Sequence, residues 1–176
     1  MKTWPKNNKD SVLFLGEWCR RFSQKEIWED MSASVLEYHW DNREKLFSDY
    51  KYLQEVNESL LISLSKKLNA IHSVDYSLRY WRILIGPWLA MFVQILFDRW
   101  TTINDALKNP NVKKCIIFDH DPLFGVPNGM EDFSKLLGED NWNEFIYAQI
   151  LQNYFSERIN LVKISPSRKT KTLNSQ

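Results

Sequence analysis

The chain has 176 residues and a formal net charge of +1, because 23 Lys and Arg residues are balanced by 22 Asp and Glu residues. The length suits one domain with a core of its own, and the balance excludes the basic surface typical of general nucleic-acid-binding proteins. Two cysteines without metal-like spacing predict no disulfide framework and indicate a reducing cytosol.

The first predicted element is a strand at residues 12–15, a short apolar run that ends at a glycine. Such a run is typical of a strand that is buried on both faces in a parallel sheet. Glu17 and Trp18 follow its carboxyl end, where ligands of open α/β sheets bind. Glu17 is therefore a candidate catalytic residue and Trp18 a candidate substrate-binding residue. The alternative is that Glu17 forms an ion pair with Arg20 or Arg21.

An aromatic and titratable cluster follows at residues 38–43. His39 can act as a general base near neutral pH, and Trp40 offers a flat face on which a sugar ring can stack. The cluster lies where a helix begins, and the free N–H groups of a helix start bind ligands. The candidate catalytic residues here are His39 and Asp41, and the candidate substrate-binding residues are Trp40 and Arg43. The alternative is that His39 is a packed, hydrogen-bonded core residue.

Residues 42–71 have the clearest helical periodicity in the chain, with apolar residues every three or four positions. Asp41 is the predicted N-cap, because Glu44 follows three residues later as in a capping box. Residues 77–100 predict a second helix. It is expected to pack antiparallel to the first helix through a short link at residues 72–76.

The second helix is apolar on nearly all sides, and only Gln94 is strongly polar between Ile83 and Phe97. Such a helix is expected to be buried on nearly all sides. Gly86-Pro87 predicts a kink, or two helices with the proline in the first position of the second. A membrane span is a rival interpretation, but the apolar run is shorter than the roughly 20 residues that a span needs and is flanked by charges. A helix attached to a membrane surface is the third interpretation.

Two arginines near the start of this helix form another candidate site. Arg79 and Arg82 lie three residues apart and therefore share a helix face. Together they can bind a phosphate or a carboxylate, so both are candidate substrate-binding residues. The alternative is that they pair with Asp75, Asp98 or a glutamate of the preceding helix.

The second predicted strand, at residues 113–118, leads directly into Asp119-His120-Asp121. Two carboxylates one residue apart at a strand end can hold a divalent cation. Asp119 and Asp121 are therefore candidate metal ligands. The alternative is an Asp-Pro turn with solvated carboxylates. The remaining predicted elements are two helices, at residues 130–137 and 142–155, and a strand at residues 159–164.

These elements predict a helix-rich α/β fold, in which a small, mostly parallel sheet accompanies a long helical hairpin. A single domain is expected over residues 1–164 and a disordered tail over residues 165–176, which lack apolar periodicity. The run at residues 12–15 is too short for a signal-peptide core, so a cytoplasmic protein with optional peripheral membrane contact is expected. No dinucleotide-binding glycine motif is present, and no cofactor is evident other than a divalent cation at the D-x-D pattern.

Three segments, FLGEWC, YHWDNREKLFSDYKYLQ and SLRYWRILIGPWLAMFVQILFDRW, resemble the amino-terminal region of a family of large bacterial transferases associated with surface-carbohydrate biosynthesis. The resemblance spans residues 12–100 and weakens afterwards. Members of that family look like two-domain proteins of glycosyltransferase type. The resemblance therefore implies that this chain is the acceptor-side part of a sugar transferase. It also implies that the domain for the donor is missing and that the chain alone is a truncated, inactive product.

The partners that this resemblance implies are a glycan or a sugar phosphate on this chain and a nucleotide sugar on the missing domain. Two other functions stay open. One is a non-catalytic binding or scaffold module built around the helical hairpin. The other is a membrane-surface protein that uses the helix around Pro87.

Overall fold

The computed structural model describes residues 10–165, in which the chain divides into two compact units. The hairpin unit is Tyr38–Thr101, and the sheet unit combines Met1–Glu37 with Thr102–Gln176. Residues 166–176 of the predicted tail lie outside the described residues, and the single domain over residues 1–164 stays a prediction. The elements in chain order are β1 (Val12–Phe14), α1 (Lys25–Trp28), β2 (Ala33–Val35), α2 (Arg43–His72), α3 (Leu78–Ala106), β3 (Lys114–Phe118), α4 (Met130–Leu136), α5 (Asp140–Ile150) and β4 (Asn160–Ile164).

The strands of the sheet unit form two parallel pairs, β1 with β2 and β3 with β4. The helix-rich α/β fold with parallel strands is therefore confirmed. Within residues 10–165, however, β1 does not join β3 and β4 in one sheet as predicted. The physical reason is that a parallel pair needs a crossover of a dozen or more residues. The segment at residues 15–32 already supplies one, so β1 finds its partner nearby in the chain.

The core of the sheet unit contains aromatic side chains that are almost completely buried. Trp142 on α5 is only 1% exposed, and its ring meets Phe133 of α4 edge to face, with 5.9 Å between the ring centroids. The indole N–H of Trp142 donates a hydrogen bond to the carbonyl of Gly125 at 3.0 Å, so this buried ring has no unmatched polar atom. α5 continues as a π-helical turn, Leu151–Phe155. The helices predicted at residues 130–137 and 142–155 are thus confirmed to within two residues.

In the hairpin unit, α2 is capped by Asn42. The side-chain oxygen of Asn42 accepts a hydrogen bond from the backbone N–H of Lys45 at 2.9 Å. The predicted N-cap, Asp41, is wrong by one residue, because its own N–H donates to the carbonyl of Tyr38 in the turn before the helix. A capping side chain must belong to the extended residue directly before the first helical one, and that residue is Asn42.

A short link at residues 73–77 reverses the chain between α2 and α3. Ser73 ends α2 in the left-handed conformation, with φ 54°. The amide of Asn69 then bonds to both the backbone N–H and the carbonyl of Tyr76, at 3.2 and 2.9 Å. Its oxygen also accepts the indole N–H of Trp81 at 2.7 Å. One α2 side chain therefore ties down both the link and the first turns of α3.

α2 and α3 run antiparallel, as predicted. The ring of His72, at the end of α2, lies beside Trp81 near the start of α3. At the other end, Trp40 stacks beside Phe97. Between these points the two helices bury one apolar seam. Its buried members are Leu53, Leu61, Trp81, Leu89 and Val93.

α3 is one unbroken helix through Gly86-Pro87, so the two-helix alternative is wrong. The prediction that α3 is buried on nearly all sides is also wrong for the described residues, because Ile83 is 71% exposed and Leu84 is 59% exposed. A single partner helix covers only one stripe of another helix. By length and composition alone, α3 could cross a membrane, and 11% of its most apolar window is buried.

Candidate functional site

A groove of about 500 Å³ runs between α2 and α3. Its lining on α2 extends from Leu46 to Glu58, and twelve residues of helix correspond to about 18 Å. The volume is in the range of small-molecule sites, and the length exceeds that of a single sugar ring. The lining residues are Trp40, Leu46, Tyr50, Leu53, Gln54, Asn57, Glu58, Ala90 and Gln94.

The groove combines aromatic faces with planar polar groups. Trp40 and Tyr50 provide surfaces on which rings can stack, and Gln54, Asn57 and Gln94 provide amide donors and acceptors. The Oδ1 atom of Asn57 is buried and accepts no hydrogen bond from the described residues. An unmatched buried acceptor costs about 1–3 kcal/mol. A hydrogen-bond donor brought to this atom would remove that cost.

Trp40 is held in a fixed orientation by its neighbours. Its indole N–H donates to Oδ2 of Asp49 at 3.0 Å, and Nζ of Lys45 donates to the same oxygen at 2.6 Å. The Trp40 ring is also stacked with Phe97, at 6.4 Å between centroids and 18° between planes. The predicted sugar platform is therefore positioned before any ligand arrives, which lowers the entropy cost of binding.

Arg82 is connected to the groove by its ion pair with Glu58, which is a lining residue. Its guanidinium binds both carboxylate oxygens of Glu58, a groove residue, and the Nη2–Oε2 distance is 2.7 Å. The hydrogen bond from Arg82 holds the pKa of Glu58 below its usual value. Arg79 is exposed and has no acidic partner among residues 10–165. The two arginines thus differ: the predicted alternative of pairing with a glutamate of α2 describes Arg82 but not Arg79.

His39 is buried beside the groove and does not line it. Its Nε2 lies 3.0 Å from Oδ1 of Asp98, and the two side chains are 2% and 5% exposed. Asp98 also pairs with Arg99, so a cation accompanies the buried carboxylate. The His39 ring contacts Trp40 at 4.7 Å between centroids. His39 is thus placed as a packed support for Trp40, and its role as a general base stays a prediction.

The other candidate residues of the amino-terminal half fall into two groups. Asp41 and Arg43 are exposed and follow Trp40 at the start of α2. Glu17 and Trp18 belong to the sheet unit. Glu17 is exposed and forms a two-pronged ion pair with Arg20, as in the predicted alternative. Trp40, Asp41 and Arg43 follow one another within the hairpin unit, whereas Glu17 and Trp18 belong to the sheet unit.

The two aspartates of the D-x-D pattern are exposed. Asp119 lies 3.8 Å from Nζ of Lys163, and Oδ1 of Asp121 accepts a hydrogen bond from the backbone N–H of Leu123 at 2.8 Å, as in an Asp-Pro turn. Among residues 10–165, no group of three or more His, Cys, Asp or Glu side chains is arranged to hold a metal ion. Metal binding by Asp119 and Asp121 stays a prediction.

His120, between these aspartates, has a different environment. Its Nε2 lies 2.6 Å from Oε2 of Glu144, and its ring stacks on Phe124 with 4.4 Å between centroids. The other oxygen of Glu144 accepts the backbone N–H of Phe118 at 2.8 Å. Glu144 therefore ties the end of β3 and the following loop to α5, which indicates a structural role for this pair.

The Cys115 thiol on β3 is half-buried. Burial, together with the negative charge of Glu144, raises the pKa of Cys115 to about 11. Because the thiolate is the nucleophilic form, a thiol with this pKa is almost wholly protonated and unreactive at neutral pH. The raised pKa of Cys115 therefore argues against a role as a nucleophile at neutral pH.

Several groove residues do not emerge from a search for catalytic motifs. Tyr50, Gln54 and Glu58 look like ordinary positions of an amphipathic helix. A signal for two others is present in the sequence, however. Asn57 interrupts the apolar face of α2, and Gln94 is the only strongly polar residue in the apolar run of α3. A polar residue on an otherwise apolar face indicates either a buried hydrogen bond or a ligand.

Comparison with known proteins identifies a family for the whole chain. A protein-family model described as "LIC12162 family transferase" matches residues 1–176. No curated protein matches the chain significantly, and no solved structure does so.

Proposed function

Because the chain belongs to the LIC12162 family of transferases, we propose that it provides the acceptor-binding part of a sugar transferase in bacterial surface-polysaccharide biosynthesis. The groove between α2 and α3 binds the acceptor glycan. A nucleotide sugar, bound outside this groove, is the donor. The observation that supports this proposal most is the unmatched Oδ1 of Asn57 in a groove that also presents the fixed ring of Trp40.

The lining of the groove supports sugar binding because it combines aromatic and amide side chains. The apolar face of the ring stacks on Trp40 or Tyr50, as flat aromatic side chains permit. When the Asn57 side chain turns its Oδ1 atom toward the groove, a hydroxyl of the same sugar donates to that atom and removes its desolvation cost. Gln94 faces the groove from α3 and supplies a second planar amide. Two helices therefore contribute to one binding surface.

The exposed charged residues that follow Trp40 in the chain are assigned roles in the proposed reaction. In glycosyl transfer, the acceptor oxygen attacks the anomeric carbon, its proton passes to a base, and the nucleotide leaves with the bonding electron pair. Of the three predicted catalytic residues, Asp41 is the one that is both exposed and adjacent in the chain to a groove residue. We assign it as the base, and Arg43 as a cation for acceptors that carry phosphate. His39 acts as a positioning residue behind Trp40.

Binding can be tested by nuclear magnetic resonance on the ¹⁵N-labelled chain. The probes are the methyl glycosides of glucose, galactose and N-acetylglucosamine, and the corresponding sugar 1-phosphates. At least one probe is expected to shift the indole signal of Trp40 and the side-chain amides of Asn57 and Gln94 together and saturably. The Asn57→Leu variant should lose these shifts, because it removes the buried acceptor.

The matched control is Asn153→Leu, which changes an exposed asparagine of the sheet unit and should leave the shifts intact. Equal shifts in the wild type and Asn57→Leu would contradict the assignment of the groove. Shifts confined to Asp119 and Asp121 in the presence of manganese would favour the D-x-D hypothesis instead. If no probe shifts any signal, the chain is better described as a scaffold module.

A further inference from the structure

α3 carries a second apolar stripe that α2 does not cover. Its members recur at the three- and four-residue spacing of one helix face, and all are exposed. At 100° per residue, this face points away from Leu89 and Val93, which pack in the seam with α2. We call it the outer stripe, which consists of Tyr80, Ile83, Leu84 and Pro87.

The charged residues of α3 beside the outer stripe are all basic. No acidic residue occurs between residues 76 and 97. Arg82 is neutralised by Glu58, whereas Arg79, at the edge of the stripe, has no acidic partner among residues 10–165. Tyr76 precedes the stripe and packs against Tyr80, with 4.2 Å between ring centroids. Exposed aliphatic residues beside tyrosines and an unpaired arginine are the composition of an interfacial membrane helix.

The hairpin can lie on a membrane but cannot span one. α3 has the length and hydropathy of a spanning helix, but its inner face packs against α2. The outward positions of α2 include exposed charges, among them Lys51, Glu55 and Lys66. Placing these charges in hydrocarbon would cost several kcal/mol. The apolar side chains of α3 can therefore enter a bilayer only through the outer stripe, with the helix parallel to the membrane plane.

We propose that the outer stripe docks the hairpin unit on a membrane surface that contains anionic headgroups. Ile83 and Leu84 insert into the boundary between headgroups and acyl chains. Tyr76 and Tyr80 lie at headgroup level, and Arg79 is attracted to the net negative charge of the anionic headgroups. This inference is independent of the groove, which is lined by other residues.

Sedimentation of the full chain with lipid vesicles tests the proposal. The wild type should bind vesicles of phosphatidylcholine mixed with phosphatidylglycerol. The double variant Ile83→Ser/Leu84→Ser should bind about thirtyfold more weakly, the loss expected when two half-inserted aliphatic side chains are removed. Arg79→Gln should weaken binding about fivefold on the anionic vesicles and leave binding to pure phosphatidylcholine unchanged.

Leu123→Ser is the matched control, because Leu123 is an exposed leucine of the sheet unit and should not affect binding. Far-UV circular dichroism verifies that every variant keeps its helices. Failure of the wild type to bind either vesicle, or equal binding by the double variant, overturns the proposal. So does a concentration-dependent dimer that Ile83→Ser/Leu84→Ser abolishes, because a second copy would then be the occupant of the stripe.

Discussion

The two units of this chain bury apolar side chains with different completeness. In the sheet unit, Phe133 and Trp142 are almost completely enclosed, at 0% and 1% exposed. In the hairpin unit, two helices meet along one seam, and the far side of α3 stays exposed. The difference shows that the apolar content of a helix does not determine its burial. The number of elements available to pack against it does.

The largest effect is expected where enclosure is complete. Trp142→Ala should lower the free energy of unfolding by about 3–5 kcal/mol, because it empties a large site from which water is excluded. Urea denaturation followed by far-UV circular dichroism measures this change. A loss below about 1 kcal/mol would contradict the complete enclosure of Trp142.

The two faces of α3 provide the sharpest internal contrast. Leu89 is 3% exposed in the seam, and Leu89→Ala should cost about 2–4 kcal/mol. Leu84→Ala, on the outer stripe, should change stability by no more than about 0.5 kcal/mol. Both variants remove the same atoms from the same helix, so the same denaturation experiment isolates burial as the cause. Equal losses would show that the outer stripe is covered in solution.

Much of the difference between the two units can be predicted from the sequence, but the exposure of the outer stripe of α3 cannot. The periodicity of residues 42–71 predicts one apolar face on α2, and the strands near residues 113 and 159 have the apolar runs that parallel strands require. The all-round apolar character of α3 predicts burial on all sides. Periodicity identifies which faces of a helix are apolar. It does not indicate how many neighbouring elements are available to cover those faces.

The candidate site was predictable to a similar extent. Trp40 emerges from the sequence because an aromatic beside a helix start is a recognisable pattern. The partnership of His39 with Asp98 does not emerge, since 59 residues separate them and only the antiparallel packing of α2 and α3 brings them together. The same packing creates the groove, whose polar residues come from both helices.

A smaller effect distinguishes the two residues that compete to cap α2. Asn42→Ala should cost about 1 kcal/mol, because the N–H of Lys45 loses its acceptor. Asp41→Ala should cost less than about half of that, since Asp41 contributes only a favourable charge near the helix start. Urea titration of the two variants decides between them. The reverse order of stabilities would restore Asp41 as the cap.

The smallest effect concerns the exposed ion pair across the hairpin. The hydrogen bond from Arg82 lowers the pKa of Glu58 in the folded chain, so this pair stabilises the fold above the ordinary glutamate value of about 4.3. That stabilisation is lost as the pH falls through the lowered value. Arg82→Gln should therefore be slightly less stable than the wild type at pH 7 and equally stable in strong acid. A difference between the two proteins that does not change with pH would contradict this assignment.

The path of the chain through the two units affects its synthesis. The hairpin unit is one uninterrupted segment, so all of it has left the ribosome once residue 101 emerges. The sheet unit is split, and residues 10–37 must wait for residues 102–165 to be translated. Contiguous units generally fold first on a nascent chain. A translating ribosome would therefore carry a folded helical hairpin between an early segment that is waiting for its partners and a late segment that has not yet appeared.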